Sequence, residues 1–297
     1  MTEPAPNFME AFDLARGMQH GFSALKRCFP VLFVGGCLKG CTEGGGGGGG
    51  GDLGDSIESF QKGGSAGGPD VKELFSELGL GELGEIGIGV IVAAVFIVFA
   101  IVLVFRAWIL PGWVRLHEEV LRTGEGQFGT LLGATDVFAS SLAWGVIEGL
   151  MYIVWIALIA GPYFLLFVVP VEQHRLVGVI ASAWGVGMLG AGIYLFLSTA
   201  FVNHVIAFEG LGVVDAVARS FDLAAGNRLW LALYTFLYWM VGVVMAVVGL
   251  CMCCIGTLVT QPVGIVIRDF GFTEGFLRFT RPADELAGWT IHQWGKP

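Results

Sequence analysis

Charge is scarce in this chain, and the places where it is missing are informative. Asp, Glu, Lys and Arg make up 14% of the residues, against about 25% in an ordinary soluble domain. From Ile86 to Phe105 no residue is ionisable and none carries a strong hydrogen-bonding side chain. A helix of that length is about 30 Å long, the thickness of a bilayer's hydrocarbon core. Being apolar on every face, such a helix is ill suited to a water-soluble fold. The chain also lacks a concentrated basic surface, which excludes nucleic acid as a partner. Its net charge of −9 is largely local. Between Glu43 and Glu85 nine acids (Glu43, Asp52, Asp55, Glu58, Asp70, Glu73, Glu77, Glu82, Glu85) face only Lys62 and Lys72.

Other absences concern processing and chemistry. Met1–Arg16 contains Glu3, Glu10 and Asp13 and has neither a basic start nor an apolar core. No cleavable signal is expected, and targeting is expected to rest on the internal spans. Leu116-His117-Glu118-Glu119 lacks the second histidine of a zinc-protease helix, and no Gly-x-Ser-x-Gly or Walker pattern occurs. The five histidines (20, 117, 174, 204, 292) are not at metal spacing. No catalytic residue, metal or cofactor is therefore expected.

What is present is hydrophobic: 55% of residues, with a mean hydropathy of +0.75. Asn7–Phe29 places Phe8, Phe12, Ala15, Met18, Phe22, Leu25 and Phe29 at three- and four-residue steps, the pattern of an interfacial amphipathic helix. Cys28–Leu38 is a short first span, about 16 Å of helix, bounded by Lys26, Arg27 and Lys39. A flexible Gly-rich acidic insert follows, with eight consecutive glycines from Gly44 to Gly51. Val71–Leu80 reads as a short helix, and Ile86–Leu110 as the second span. Pro111–Gly133 is an amphipathic connector carrying Trp113, Leu116, Val120 and Leu121. Val137–Ala160 forms the third span, stopping at Gly161-Pro162, and Phe164–Val171 lies at the interface. Leu176–Val205 is the fourth span. Leu229–Ile267 holds 39 residues without charge, best read as two spans turning near Gly249–Gly256.

Six crossings place both termini on one side. That side collects twelve Lys and Arg, including Arg16, Arg115, Arg122, Arg219 and Arg281, against Lys39, Lys62, Lys72 and Arg175 opposite. The positive-inside rule makes it the cytoplasm. Five crossings, with the first segment re-entrant, is the alternative.

Three groups of residues invite a functional reading. Cys37 and Cys41 fall near the outer end of span one, and Cys251, Cys253 and Cys254 in the outer turn between spans five and six. Unpaired packing residues come first, a disulfide between the clusters second, and a zinc site last, because the spacing is not that of a knuckle. Glu148 is the sole ionisable residue of span three. An intramembrane carboxylate marks a site unless a partner holds it, and Asn203, His204 and Gln261 are the candidate partners. Interhelical hydrogen bonding is the structural alternative. Ala183, Gly187 and Ala191 form a small-residue ladder suited to close helix contact, within the chain ahead of between copies. The tryptophans near span ends read as an aromatic belt.

One stretch is more distinctive: Phe201-Val-Asn-His-Val-Ile-Ala-Phe-Glu209-Gly-Leu-Gly-Val-Val-Asp-Ala216-Val-Ala-Arg219-Ser220-Phe-Asp-Leu-Ala-Ala-Gly226-Asn-Arg-Leu-Trp230. A span ends in an acid, an Ala-x-x-x-Ser helix follows, then Gly and an aromatic open the next span. This pattern resembles the membrane domain fused to some glycerophosphodiester phosphodiesterases and its stand-alone prokaryotic relatives. The connector Leu116–Gly133 is similar to that family's first cytoplasmic loop, and Thr260-Gln-Pro262 to its last span. Phe12-Asp-Leu-Ala-Arg-Gly17 echoes Phe221-Asp-Leu-Ala-Ala-Gly226, as a repeat of interfacial helices would. The phosphodiesterase barrel has no counterpart in these residues. The resemblance thus implies a membrane fold, with Glu209, Ala216, Ser220 and Gly226 as its marker residues, and not the hydrolase activity.

The expectation is an all-α polytopic transmembrane bundle of about six spans, with interfacial helices on the cytoplasmic side. Residues 1–41 carry the interfacial helix and weak span, 42–85 the insert, 86–270 the bundle and 271–297 a cytoplasmic tail. The expected function is non-enzymatic: lipid interaction or scaffolding in the cell (inner) membrane, with membrane lipids and other membrane proteins as partners. A transporter or transport accessory built around Glu148 is the alternative.

Overall fold

The computed structural model describes residues 8–42, 84–168, 174–251 and 255–290, and among them every long element is an α-helix. The chain divides into two compact units: Met1–Gly40 with Arg106–Pro297, and Cys41–Phe105. In the second unit the described part is the helical stretch from Gly84 and the last residues before the insert. The Gly-rich insert, the helix expected at Val71–Leu80, and Cys253 and Cys254 lie outside the described residues.

Three short or medium helices come first: α1 (Phe8–Ala11), α2 (Leu14–Arg27) and α3 (Phe29–Thr42). The long helices are α4 (Gly84–Thr123), α6 (Phe138–Val168), α7 (His174–Thr199), α10 (Arg228–Cys251) and α11 (Ile255–Thr280). Between and after them lie α5 (Phe128–Leu132), α8 (Val202–Glu209), α9 (Val213–Ala224) and α12 (Ala283–Ala287).

Among the described residues four stretches are long and apolar enough to cross a membrane: Phe96–Thr123, Phe128–Phe164, Leu176–Glu209 and Arg228–Gly249. The bent pair α2–α3, with 112° between its halves, makes up to five. Six is not confirmed among the described residues; α11 holds Gln261 and Pro262 within its apolar part and reaches its first charge at Arg268. The first three stretches have 28, 37 and 34 residues. At 1.5 Å per residue each exceeds a 30 Å core, so their ends project beyond it.

Several expected boundaries move. The helix through span two does not stop at Leu110 but continues past Pro111 to Thr123. Trp113, Leu116, Val120 and Leu121, expected on an interfacial connector, are fully buried among other helices. Gly124 then ends α4 with φ +79°, a left-handed residue that glycine adopts without strain. Likewise α6 passes through Pro162 to Val168 rather than stopping there. Proline removes one backbone donor but does not end a helix that neighbouring segments support. Of the tail expected from residue 271, residues 271–280 form the second half of α11, where Phe276 and Leu277 are buried.

The C-terminal halves of α4 and α11 pack with α2 and α8 as a helical head. Glycines permit the contact: a Cβ on Gly21 would lie 3.2 Å from the Cα of Ile267, and one on Gly17 3.2 Å from that of Gly271. Phe8, Phe12 and Tyr234 close the end of this seam, with ring centroids 4.3 Å apart for Phe8–Phe12 and 5.0 Å for Phe12–Tyr234. The echo between Phe12–Gly17 and Phe221–Gly226 does not survive as a structural repeat. Asp13 caps the start of α2, accepting from the Arg16 amide at 3.1 Å, whereas Asp222 lies in the last turn of α9.

The small-residue ladder faces outward, against the expectation of packing within the chain. Ala183, Gly187 and Ala191 are all exposed, and a Cβ on Gly187 would meet nothing within 4 Å. The face that α7 turns to α6 is a different one. A Cβ on Gly192 would lie 2.6 Å from Nε1 of Trp155, and one on Gly185 3.0 Å from the Tyr163 hydroxyl. Residues 185 and 192 project nearly opposite 183 and 187 at 100° per residue.

Candidate functional site

Helix α11 leaves its apolar half at Ile267 and places polar residues on successive turns toward neighbouring helices. Asp269 comes first. Its Oδ2 accepts from the buried Lys39 ammonium of α3 and from Nε1 of Trp113 on α4 at 2.9 Å. Its Oδ1 accepts from Nε of Arg268 at 2.9 Å. Burial alone would raise the carboxyl's pKa, but Arg268 and Lys39 outweigh it and hold the group well below the usual carboxylate range.

One turn on, the Thr273 hydroxyl is shared by two histidines. His117 Nδ1 of α4 lies 3.4 Å from Oγ1, and His204 Nε2 of α8 lies 3.2 Å from it. Trp113 meets the His117 ring edge-on at 4.4 Å, and Phe272 and Phe276 lie against His204 at 5.0 Å and 5.3 Å.

Glu274 forms the third set, and it is only 3% exposed. Its Oε2 lies 2.9 Å from His20 Nδ1, and its Oε1 accepts from Arg278 Nε at 2.8 Å and faces Arg16 Nε at 3.4 Å. Burial again acts upward on this carboxyl, while the bond to His20 and the charge of Arg278 bring it below its ordinary value. Further out, Arg281 pairs with Glu118 at 2.8 Å. The three sets tie α2, α3, α4 and α8 to one helix.

The residues expected to cluster in the membrane divide between different partners. Glu148 bonds to Arg106 at 2.8 Å, whereas His204 joins Thr273. Asn203 and Gln261 are half-buried. Of the cysteines named for a disulfide, Cys37 is half-buried, and the side chains of Cys41, Cys251, Cys253 and Cys254 lie outside the description. Among the described residues no three His, Cys, Asp or Glu side chains gather as a metal site.

The Ala-x-x-x-Ser motif acquires a structural account. Ala216 and Ser220 are fully buried. The Ser220 hydroxyl donates to the Ser198 carbonyl at 2.7 Å and accepts from the Phe201 amide at 3.2 Å. It therefore satisfies backbone groups at the break between α7 and α8. Arg228 secures the same corner, with Nε 3.0 Å from the Ser198 hydroxyl and its guanidinium 4.5 Å above the Tyr194 ring. Glu209 faces Arg219 at 3.7 Å, and Gly226 turns the chain into α10 with φ +77°.

Sequence reasoning missed Lys39, His20, His117, Asp269, Thr273 and Glu274 as a set. The available signal was the spacing 269–273 and 274–278 directly after an apolar run, with one lysine inside the otherwise apolar α3. Compared with known proteins, the chain matches no family model, no curated protein and no solved structure.

Proposed function

We propose that this chain is a non-enzymatic, multi-pass membrane protein of the scaffolding or lipid-interacting kind, in which a rigid helical head is fixed to a bundle of spans. The observation that supports this reading is the commitment of its buried and half-buried carboxylates. Asp269 already engages Lys39, Trp113 and Arg268, and Glu274 engages His20, Arg16 and Arg278. Glu148 engages Arg106. A catalytic or transport site keeps charge available to its ligand; here the charges fasten helices to one another.

The reading keeps the resemblance to the phosphodiesterase-fused membrane domain as a likeness of fold, with the Ser220 corner as its structural core. It places the protein in the cell (inner) membrane with both termini cytoplasmic, because the head carries Arg16, Arg115, Arg122, Arg219 and Arg281. Membrane lipids and other membrane proteins are the proposed partners. Arg16, Arg115 and Arg219 face Glu274, Asp136 and Glu209, so lipid contact would rest on exposed apolar groups such as Phe22, Phe29 and Phe128 more than on these cations.

The test is purification in mild detergent followed by identification of retained lipids and proteins, together with flux measurements in proteoliposomes. Retention of a defined lipid or protein, without flux, is expected. A solute or proton flux abolished by Glu148→Gln would replace this reading with the transporter.

A further inference from the structure

The His117–Thr273–His204 set differs from its neighbours on α11 in having no charge partner of its own. Three helices that are distant in sequence meet at one hydroxyl. A threonine hydroxyl carries one proton to donate and can accept from others. With both imidazoles neutral the shared hydroxyl is satisfied: one ring nitrogen donates to Oγ1, Oγ1 donates to the other, and only the accepting ring carries its N–H on the outward side. The outward nitrogens, His117 Nε2 and His204 Nδ1, are buried and have no partner among the described residues. If both rings were protonated, both inner nitrogens would be donors to the same oxygen. The Thr273 proton would lose its ring acceptor, and both outer nitrogens, instead of one, would be buried N–H groups, now on charged rings, with no partner among the described residues.

The charged groups around the set do not offset this. Lys39 from α3 adds positive charge, and Asp269 on α11, the nearby carboxylate, is already engaged by Lys39, Trp113 and Arg268. Farther along α11, Glu274 is held by His20 of α2 and Arg278, and Arg281 is held by Glu118 of α4. From α8 itself, Glu209 faces Arg219 of α9.

We infer that His117, Thr273 and His204 form an acid-sensitive latch, closed while both imidazoles are neutral, whose protonation releases α8 from α4 and α11. The physical basis is linkage: the open state binds protons that the closed state excludes, so each excluded proton makes opening up to tenfold easier per pH unit. Opening therefore becomes easier as pH falls below the ordinary histidine value of about 6.5.

The experiment uses the full-length protein in nanodiscs. Hydrogen exchange of α8 amides, corrected for intrinsic rates, reads the opening constant. Two excluded protons predict a rise of about 70-fold between pH 7.0 and 5.5, and one predicts about 8-fold. The wild type should show the first, and H117Q or H204Q alone the second. T273S, which keeps the hydroxyl, should follow the wild type. Should the glutamine variants fail to fold, histidine side-chain NMR of the wild type decides the matter. Both imidazoles must stay neutral while α8 is protected. A wild-type response no steeper than that of the double variant H117Q/H204Q, which lacks both titrating rings, or either ring gaining a proton near pH 6.5 with α8 still protected, overturns the latch.

Discussion

Ile267 on α11 and Ile156 on α6 are the same residue in helices of the same protein, yet the first is 0% exposed to anything outside the chain and the second 65%. Ile267 is hidden by Gly21 and the rest of the head, whereas Ile156 is left for lipid to cover. The same contrast separates the two groups of ion pairs. Lys39 and Asp269 have side chains 8% and 13% exposed, against 25% and 19% for Arg106 and Glu148. The head is thus organised as a small soluble protein is, with apolar and polar groups enclosed together. The spanning middles are apolar outside and sparsely packed inside, because hydrocarbon makes no demand that side chains hide from it.

This contrast can be broken most forcefully at Asp269. Asp269→Asn removes the buried carboxylate that Lys39, Trp113 and Arg268 share and should cost about 3–5 kcal/mol, visible as a large fall in midpoint on thermal unfolding in detergent. Glu148→Gln, at the more open pair, should cost clearly less. Equal losses would mean that the two regions hold charge in the same way.

Next in size is the packing comparison. Ile267→Ala should destabilise by about 2–5 kcal/mol, while Ile156→Ala should stay within about 0.5 kcal/mol, both measured by denaturant titration in the same micelle. Glycine substitutions extend it. A Cβ on Gly112 would lie 1.9 Å from the carbonyl oxygen of Leu131, so Gly112→Ala should cost about 1–3 kcal/mol. Gly187→Ala, with open space before it, should leave the midpoint unchanged, and a large loss there would show that the outward ladder is covered by a partner.

The smallest expected effect near neutrality concerns the two carboxylates of the head. Asp269 and Glu274 have folded pKa values below their unfolded ones. Their contribution is therefore complete above the ordinary carboxylate range, near pH 4, and is lost only as pH falls through the depressed folded values. Between pH 7 and 5.5 they should contribute no change, which separates them from the histidine latch. Stability of Asp269→Asn that varies with pH in that window as strongly as in the wild type is the expected result.

Much of the spanning region was legible beforehand. Ile86–Phe105 could be recognised from composition because an apolar helix of sufficient length needs no partner to be interpreted. The Ser220 motif was visible as a pattern, although its role at the α7–α8 break was not. The head was hidden for a physical reason. Trp113, Leu116 and Val120 have the spacing of an interfacial helix, and amphipathic periodicity does not reveal whether lipid or another helix covers the apolar side. Proline misled at 111 and 162, since its cost in a helix depends on what surrounds it.

Hydropathy along the chain determined by itself that the protein is helical and embedded in a membrane, because a bilayer selects on length and composition one segment at a time. Tertiary structure alone decided which charges are spent on one another. Lys39 and Asp269 stand 230 residues apart, and His117, His204 and Thr273 belong to three separate helices. Such pairings depend on how helices cross, a property of the assembled chain that local sequence does not encode.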